Sequence, residues 1–224
     1  MGDLESVRVA LRVRPLVPSE QARGCQVAVE KIGDENQVLV NNTDAFSFNF
    51  VFDWKDTQEV VYNVSVSDML DKLFSGFNAT ILAYGQTGSG KTHTMGTAFD
   101  GSLDENVGVI PRAMHDIFER INKLSDTFDF VVKCSFMELY QEQLYDLLAD
   151  KPRDECTVDM REDRNGIIMV GLTEREVNSA METTDCLVKG SAGRAVASTA
   201  MNQASSRSHA IFTVYMQATK KDDS

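Results

Sequence analysis

No two of the four cysteines stand close together. Cys25, Cys134, Cys156 and Cys186 form no CxxC pair, which argues against a zinc site or a disulfide-stapled secreted scaffold and fits a reducing compartment. Histidine is scarce as well, with 3 in 224 residues, and no cluster of His, Cys or paired carboxylates has metal-ligand spacing. No apolar run approaches the roughly 18 residues that a membrane helix needs. The start, "MGDLESVRVALRV", is acidic and then alternating, unlike a signal peptide. Positive charge is in deficit: 34 Asp+Glu against 22 Lys+Arg give a formal net charge of −12. Long-range forces therefore push the chain away from nucleic acid, anionic membranes and any acidic polymer. Internal repeats and low-complexity tracts are missing too. What remains reads as a soluble intracellular protein, 42% hydrophobic and of a length suited to one domain.

Along that domain strands alternate with helices. "VRVALRVRP" predicts a strand ending at Pro15, and "LVPSEQARGC" a loop. "QVAVEKI" and "QVLVNN" predict a hairpin, and "AFSFNFVFD" a strand with Phe46, Phe48, Phe50 and Phe52 on one face. A capping box of Asp56 and Glu59 opens a helical stripe running to Gly76, followed by a strand at "ATILAY". A helix is expected from Lys91, and another over "IPRAMHDIFERINKL" with Ile110, Met114, Ile117, Phe118, Ile121 and Leu124 on one face. "FDFVVKCSFMELY" reads as a long strand, "QEQLYDLL" as a helical turn, and "VDMREDRNGIIMV" as a hairpin turning at Asn165-Gly166. "METTDCLVKGSAGRAVAS" reads as a helix broken near Gly190 and Gly193. "HAIFTVYMQAT" is a strand with Ala210, Phe212, Val214, Met216 and Ala218 on one face. The pattern is that of an α/β sheet covered by helices on both sides.

The most specific segment is Gly85-Gln86-Thr87-Gly88-Ser89-Gly90-Lys91-Thr92, which satisfies G-x-x-x-x-G-K-[ST] between a predicted strand and a predicted helix. Glycines let successive N–H groups turn inward as an anion nest, and the helix that follows adds its positive end. Lys91 can reach the β- and γ-phosphates of a nucleoside triphosphate, and the Thr92 hydroxyl suits Mg2+. A second segment, "NQASSRSH" at Asn202 to His209, gathers hydroxyls, an arginine, an amide and an imidazole with almost nothing apolar. By itself it suits a solvated loop. Beside a phosphate loop it also suits a triphosphatase, which needs hydroxyls near the γ-phosphate and a cation that responds to hydrolysis.

Taken together, "RVRP" at Arg12 to Pro15, "FDWKDTQEVVYN", "YGQTGSGKTHTMG", "GVIPRAMHDIF" and "NQASSRSHAIF" resemble the motor domain of a kinesin, in the expected order and over residues 6–224. Details such as "SGFNATILAYGQTGSGKTHTMG" are similar to the chromokinesin branch. The resemblance implies a P-loop NTPase fold with a mixed central sheet, ATP or ADP with Mg2+ as ligands, and microtubule-stimulated ATP hydrolysis coupled to movement. It implies that Arg12, Arg14 and Pro15 line the adenine side, with His93 packed on the base. Ser205 and Ser206 would approach the γ-phosphate, Ser206 joining Thr92 on Mg2+. Asn202 and Ser208 would help place the attacking water, Arg207 would pair with a glutamate of a later loop, and His209 would be structural support. The partner it implies is the microtubule, gripped by the full-length protein, with a homodimer formed through a coiled coil outside this chain. Location would be cytoplasmic and cytoskeletal, extending to nucleus or spindle.

One family element is not found. Phosphoryl transfer of this kind needs an aspartate that holds the Mg2+ shell, which kinesins place in "DLAGSE" after the last strand read here. Asp53, after "FNFVFD", is the nearest imitation. The chain is accordingly expected to be the N-terminal portion of a motor, short of that switch and of later microtubule-binding elements. The competing expectation is a non-catalytic module that holds nucleotide, or a partner, without turnover. An unrelated P-loop kinase or GTPase is a third, although no NKxD base-reading motif is present.

Overall fold

A computed structural model of the chain describes residues 7–97, 105–152, 155–164, 166–200 and 208–221. These divide into two compact units, Met1–Thr94 and Met95–Ser224.

In the first unit, β1 (Ala10–Arg12) pairs in parallel with β5 (Phe50–Phe52), Leu11 opposite Val51. A separate antiparallel sheet joins β2 (Val29–Lys31), β3 (Gln37–Val40) and β4 (Asp44–Ser47). The single strand expected over "AFSFNFVFD" is thus two strands in different sheets. Between them the Asn49 carboxamide accepts a hydrogen bond from Val9 N at 2.8 Å, a side-chain bond that competes with ladder pairing. Phe46 is consequently exposed while Phe52 is buried. The loop expected after Pro15 contains a short helix, α1 (Pro18–Ala22), with proline at its first position and Glu20 accepting from Val17 N at 2.9 Å. The helix expected from Asp56 starts instead on Thr57, whose hydroxyl accepts from Val60 N. It divides into α2 (Gln58–Ser65) and α3 (Met69–Phe74). At the break, the Ser65 and Ser67 hydroxyls bond back to Val61 O and Asn63 O, a pattern that bends helices. Gly76, at φ 91, closes α3.

The strand expected at "ATILAY" is not formed. Among the described residues no strand offers it a ladder, and a strand alone is not stable in water. Leu82 is 83% exposed and Tyr84 96%.

The second unit follows its sequence pattern more closely. Helix α5 (Val109–Leu124) buries Met114, Ile117 and Phe118. Strand β6 (Phe128–Tyr140) pairs along its whole length with β11 (Ser208–Lys220), Ser208 opposite Tyr140 and Lys220 opposite Phe128. On the other edge β6 pairs with β7 (Gln143–Asp146) and β10 (Arg175–Glu176), and β7 leads to the hairpin of β8 (Thr157–Asp163) and β9 (Gly166–Val170). The helical turn expected at "QEQLYDLL" is therefore a strand. Gln141 and Glu142 both take positive φ, 50 and 65, making a two-residue hairpin turn without the Asn-Gly signal that announces one. Phe118, Val132, Cys134, Phe136, Cys186 and Leu187 form the core, and Ala210, Phe212, Val214 and Met216 pack against it.

Helix α6 (Ala180–Ala200) runs unbroken through Gly190 and Gly193, contrary to the expected break. Gly190 is there for closeness: a Cβ would stand 2.2 Å from Cδ1 of Phe136, whose ring meets Phe212 edge-on at 5.4 Å. Nothing lies within 4 Å of a Cβ at Gly193. Gly190→Ala should therefore cost about 1–3 kcal/mol by overpacking. Gly193→Ala should stabilise by up to about 1 kcal/mol through helix propensity. Thermal melts of the two variants should move in opposite directions.

Candidate functional site

Three glycines shape the segment from Gly85 to Thr92. Gly85, Gly88 and Gly90 have φ of 152, 80 and 99, values that side chains other than hydrogen resist. Ser89 N bonds to Gln86 O at 3.1 Å, and Thr94 N to Gly90 O at 2.9 Å as the segment enters α4 (Lys91–Met95). A Cβ on Gly85 would stand 2.6 Å from Ser89 Oγ, so the loop is too tightly turned for a larger residue there. The Lys91 ammonium donates to Gly85 O at 2.7 Å and Gln86 O at 2.9 Å, closing the loop with a positive charge. Gln86, Thr87, Gly88 and Thr92 are exposed, with Ser89 half-buried. Turned backbone, an ammonium and an accessible hydroxyl form the donor set that a magnesium-bound polyphosphate requires, so the residues fit that ligand.

Two predicted adenine-side residues are anchored differently. The Arg12 guanidinium donates to Gln58 Oε1 at 2.6 Å and Thr94 Oγ1 at 2.9 Å, and Gln58 Nε2 donates to His93 O at 2.6 Å. One buried amide thus ties β1 to α2 and α4. Burial draws the Arg12 pKa down, partly offset by Asp56. Arg14 makes two bonds to the Glu20 carboxylate, at 2.7 and 2.8 Å, and one to Pro15 O. Chiefly through that pairing the Glu20 pKa falls to about 2. Pro15 and His93 are exposed. Burial and then the Arg12 charge lower the His93 pKa, so its imidazole is neutral at neutral pH.

Asn202, Ser205, Ser206 and Arg207 lie outside the described residues. Ser208 and His209 open β11, and the Ser208 hydroxyl accepts from Arg194 Nη2 at 2.9 Å. Asp53 turns its carboxylate to Lys55 N at 2.8 Å, serving the turn after β5. The four cysteines are free thiols. Burial and a hydrogen bond to Cys186 push Cys134 up to about 12, which leaves it no nucleophilic character. Among the described residues no helix is long and apolar enough to cross a membrane.

Sequence reasoning passed over Gln58, Thr94, Glu138 and Arg194. Glu138 carried a visible signal, because a carboxylate inside the apolar run "CSFMELY" must find a buried partner. Gln58 carried none, since a glutamine after a helix cap is ordinarily solvated.

Comparison with known proteins accounts for these features together. The profile of the kinesin motor domain matches residues 12–224, and the chain belongs to that family, with its α/β P-loop NTPase fold. Chromosome-associated kinesin KIF4A of Homo sapiens is 48% identical over 220 residues, 97% of this chain and 18% of its own length. Kinesin-related protein 8 of Dictyostelium discoideum is 43% identical, covering 97% of this chain and 12% of its own. Kinesin-like protein KIF21B of Mus musculus is 42% identical, covering 94% and 14%. The likeness to the chromosome-associated branch expected from the sequence is present. The chain spans less than a fifth of the length of these curated relatives.

Proposed function

We propose that the chain binds Mg·ATP and Mg·ADP at Gly85–Thr92 and, within the full-length protein, hydrolyses ATP to drive movement along microtubules. The observation that carries this is the glycine-turned loop, closed by Lys91 and continued into helix α4, whose first two residues are Lys91 and Thr92. The loop amides would bind phosphate oxygens, and Lys91 would exchange its two carbonyl partners for the β- and γ-phosphates. Thr92 and Ser206 would hold Mg2+, which when bound neutralises charge on the transferring phosphoryl group. Arg12, Arg14, Pro15 and His93 form the base-side wall, the neutral imidazole stacking without adding charge. Ser205 would approach the γ-phosphate, Asn202 and Ser208 would help place the attacking water, and Arg207 would pair with a glutamate of a later loop.

With a chain charge of −12, attachment to the acidic microtubule falls to local surfaces and to residues elsewhere in the full-length protein. We further propose work on cytoplasmic microtubules and the spindle and a homodimer through a coiled coil elsewhere in the full-length protein; the likeness to chromosome-associated kinesins supports chromosome association.

A second reading is favoured by the unladdered, exposed segment before the phosphate loop: the 224-residue chain alone binds nucleotide without turning it over. Steady-state ATPase assays with and without microtubules separate the two. The full-length protein should show microtubule-stimulated turnover and the 224-residue chain little. Stimulated turnover by the shorter chain would sink the second reading; its absence from the full-length protein would sink the first.

A further inference from the structure

Glu138 breaks the pattern of its neighbours. It follows Val132, Cys134 and Phe136 at two-residue spacing on β6, the stripe that contributes to the core, and it is only 1% exposed. Register places Ala210 opposite Glu138, so Ser208, two residues before Ala210, falls on the same face one step along. Arg194 reaches across that face from α6. Its Nε donates to Glu138 Oε1 at 3.1 Å, and its Nη2 donates to Ser208 Oγ at 2.9 Å and Ser208 O at 3.2 Å. The arginine side chain is itself 16% exposed.

A buried ion pair adds little net stability, because desolvation offsets most of the attraction. Apolar residues at 138 and 194 would continue the core stripe at no such cost. What the pair adds is direction: the carboxylate sets the guanidinium plane, and the planar fork takes hold of two oxygens of a single serine. The arginine N–H occupies a lone pair of Ser208 Oγ, which leaves the serine's own O–H to donate elsewhere.

We propose that Glu138 and Arg194 are positioning residues for Ser208, holding its hydroxyl as a hydrogen-bond donor for the hydrolysis step. This deepens the ATPase reading above and rests on it. Ser208→Ala, Arg194→Lys, Glu138→Gln and the double Ser208→Ala/Arg194→Lys variant of the full-length protein test it through microtubule-stimulated kcat, KM for ATP, the Kd of a fluorescent ADP analogue and thermal melting. Ser208→Ala leaves Arg194 bonded to Glu138 and to the serine carbonyl, so the fold is retained.

Ser208→Ala and Arg194→Lys should each lower kcat about tenfold or more, with KM and Kd held within about twofold. The double variant should be no slower than the slower single, because both remove the same interaction. Glu138→Gln, which keeps an acceptor oxygen but loses the charge, should lower kcat less than Arg194→Lys does, and a kcat equal to wild type would remove Glu138 from the role. Unchanged kcat in Ser208→Ala, a multiplied loss in the double variant, or a defect confined to melting temperature would overturn the positioning role alone. Wild-type protein unable to bind the ADP analogue would overturn the nucleotide reading and this role with it.

Discussion

Lys91→Ala is expected to weaken binding of a fluorescent ATP analogue by about 25-fold or more. Removing one partner of a desolvated charge pair costs roughly 2–5 kcal/mol, and each 1.4 kcal/mol is tenfold in affinity. The ammonium also spans Gly85 O and Gln86 O, so its loss frees the entrance of the loop as well as its charge. Fold stability should change little, because these two bonds lie at a half-exposed loop rather than in a core. Equilibrium titration checks the first expectation and a thermal melt the second. Retained affinity with unchanged stoichiometry would remove the phosphate site from Gly85–Thr92.

Gly108→Ala should be among the most damaging single methyl additions in the second unit. Its backbone, at φ −80 and ψ −169, is one that any residue adopts, so the objection is space alone. A Cβ would stand 2.3 Å from Gly96 N, 2.5 Å from Gly96 Cα and 2.7 Å from Met95 C. All three are main-chain atoms, which cannot rotate aside as a side chain does. Gly96 is held from its own side at φ 80, with Gly108 Cα and Pro111 Cδ each 3.0 Å from where its Cβ would be. The expected loss is about 3 kcal/mol or more, a fall in Tm of roughly 6–12 °C for a chain of this size. A melt indistinguishable from wild type would show that the two backbones do not meet this closely.

Legibility tracked how local the cause was. Strand β6 and helix α5 stand where alternation and the 3.6-residue stripe put them, because each has one face committed to the core. Glycine misled where its purpose was distant. Gly190 looked like a helix breaker, yet it makes room for Phe136, a residue more than fifty positions earlier, and no local rule conveys that. Gln141 and Glu142 turn a hairpin with residues that do not advertise positive φ. In "AFSFNFVFD" the alternation was real, but it could not show that Asn49 would bond Val9 and send the two ends to different sheets. At the site, the phosphate loop was readable because contiguous residues build it. The Arg12–Gln58–His93 link and the Arg194 fork were not, because each joins segments that only the fold brings together.

The pairing of β6 with β11 also constrains how the second unit is made. The first of these strands ends at Tyr140 and the second begins at Ser208, so the connecting chain must close on itself before the longest ladder of the sheet can zip. On a ribosome, α5 and β6 emerge with Phe136 still lacking the ring of Phe212 against it. Phe136 therefore keeps one flank open until β11 has been translated. That interval is when a chaperone has most reason to hold the chain.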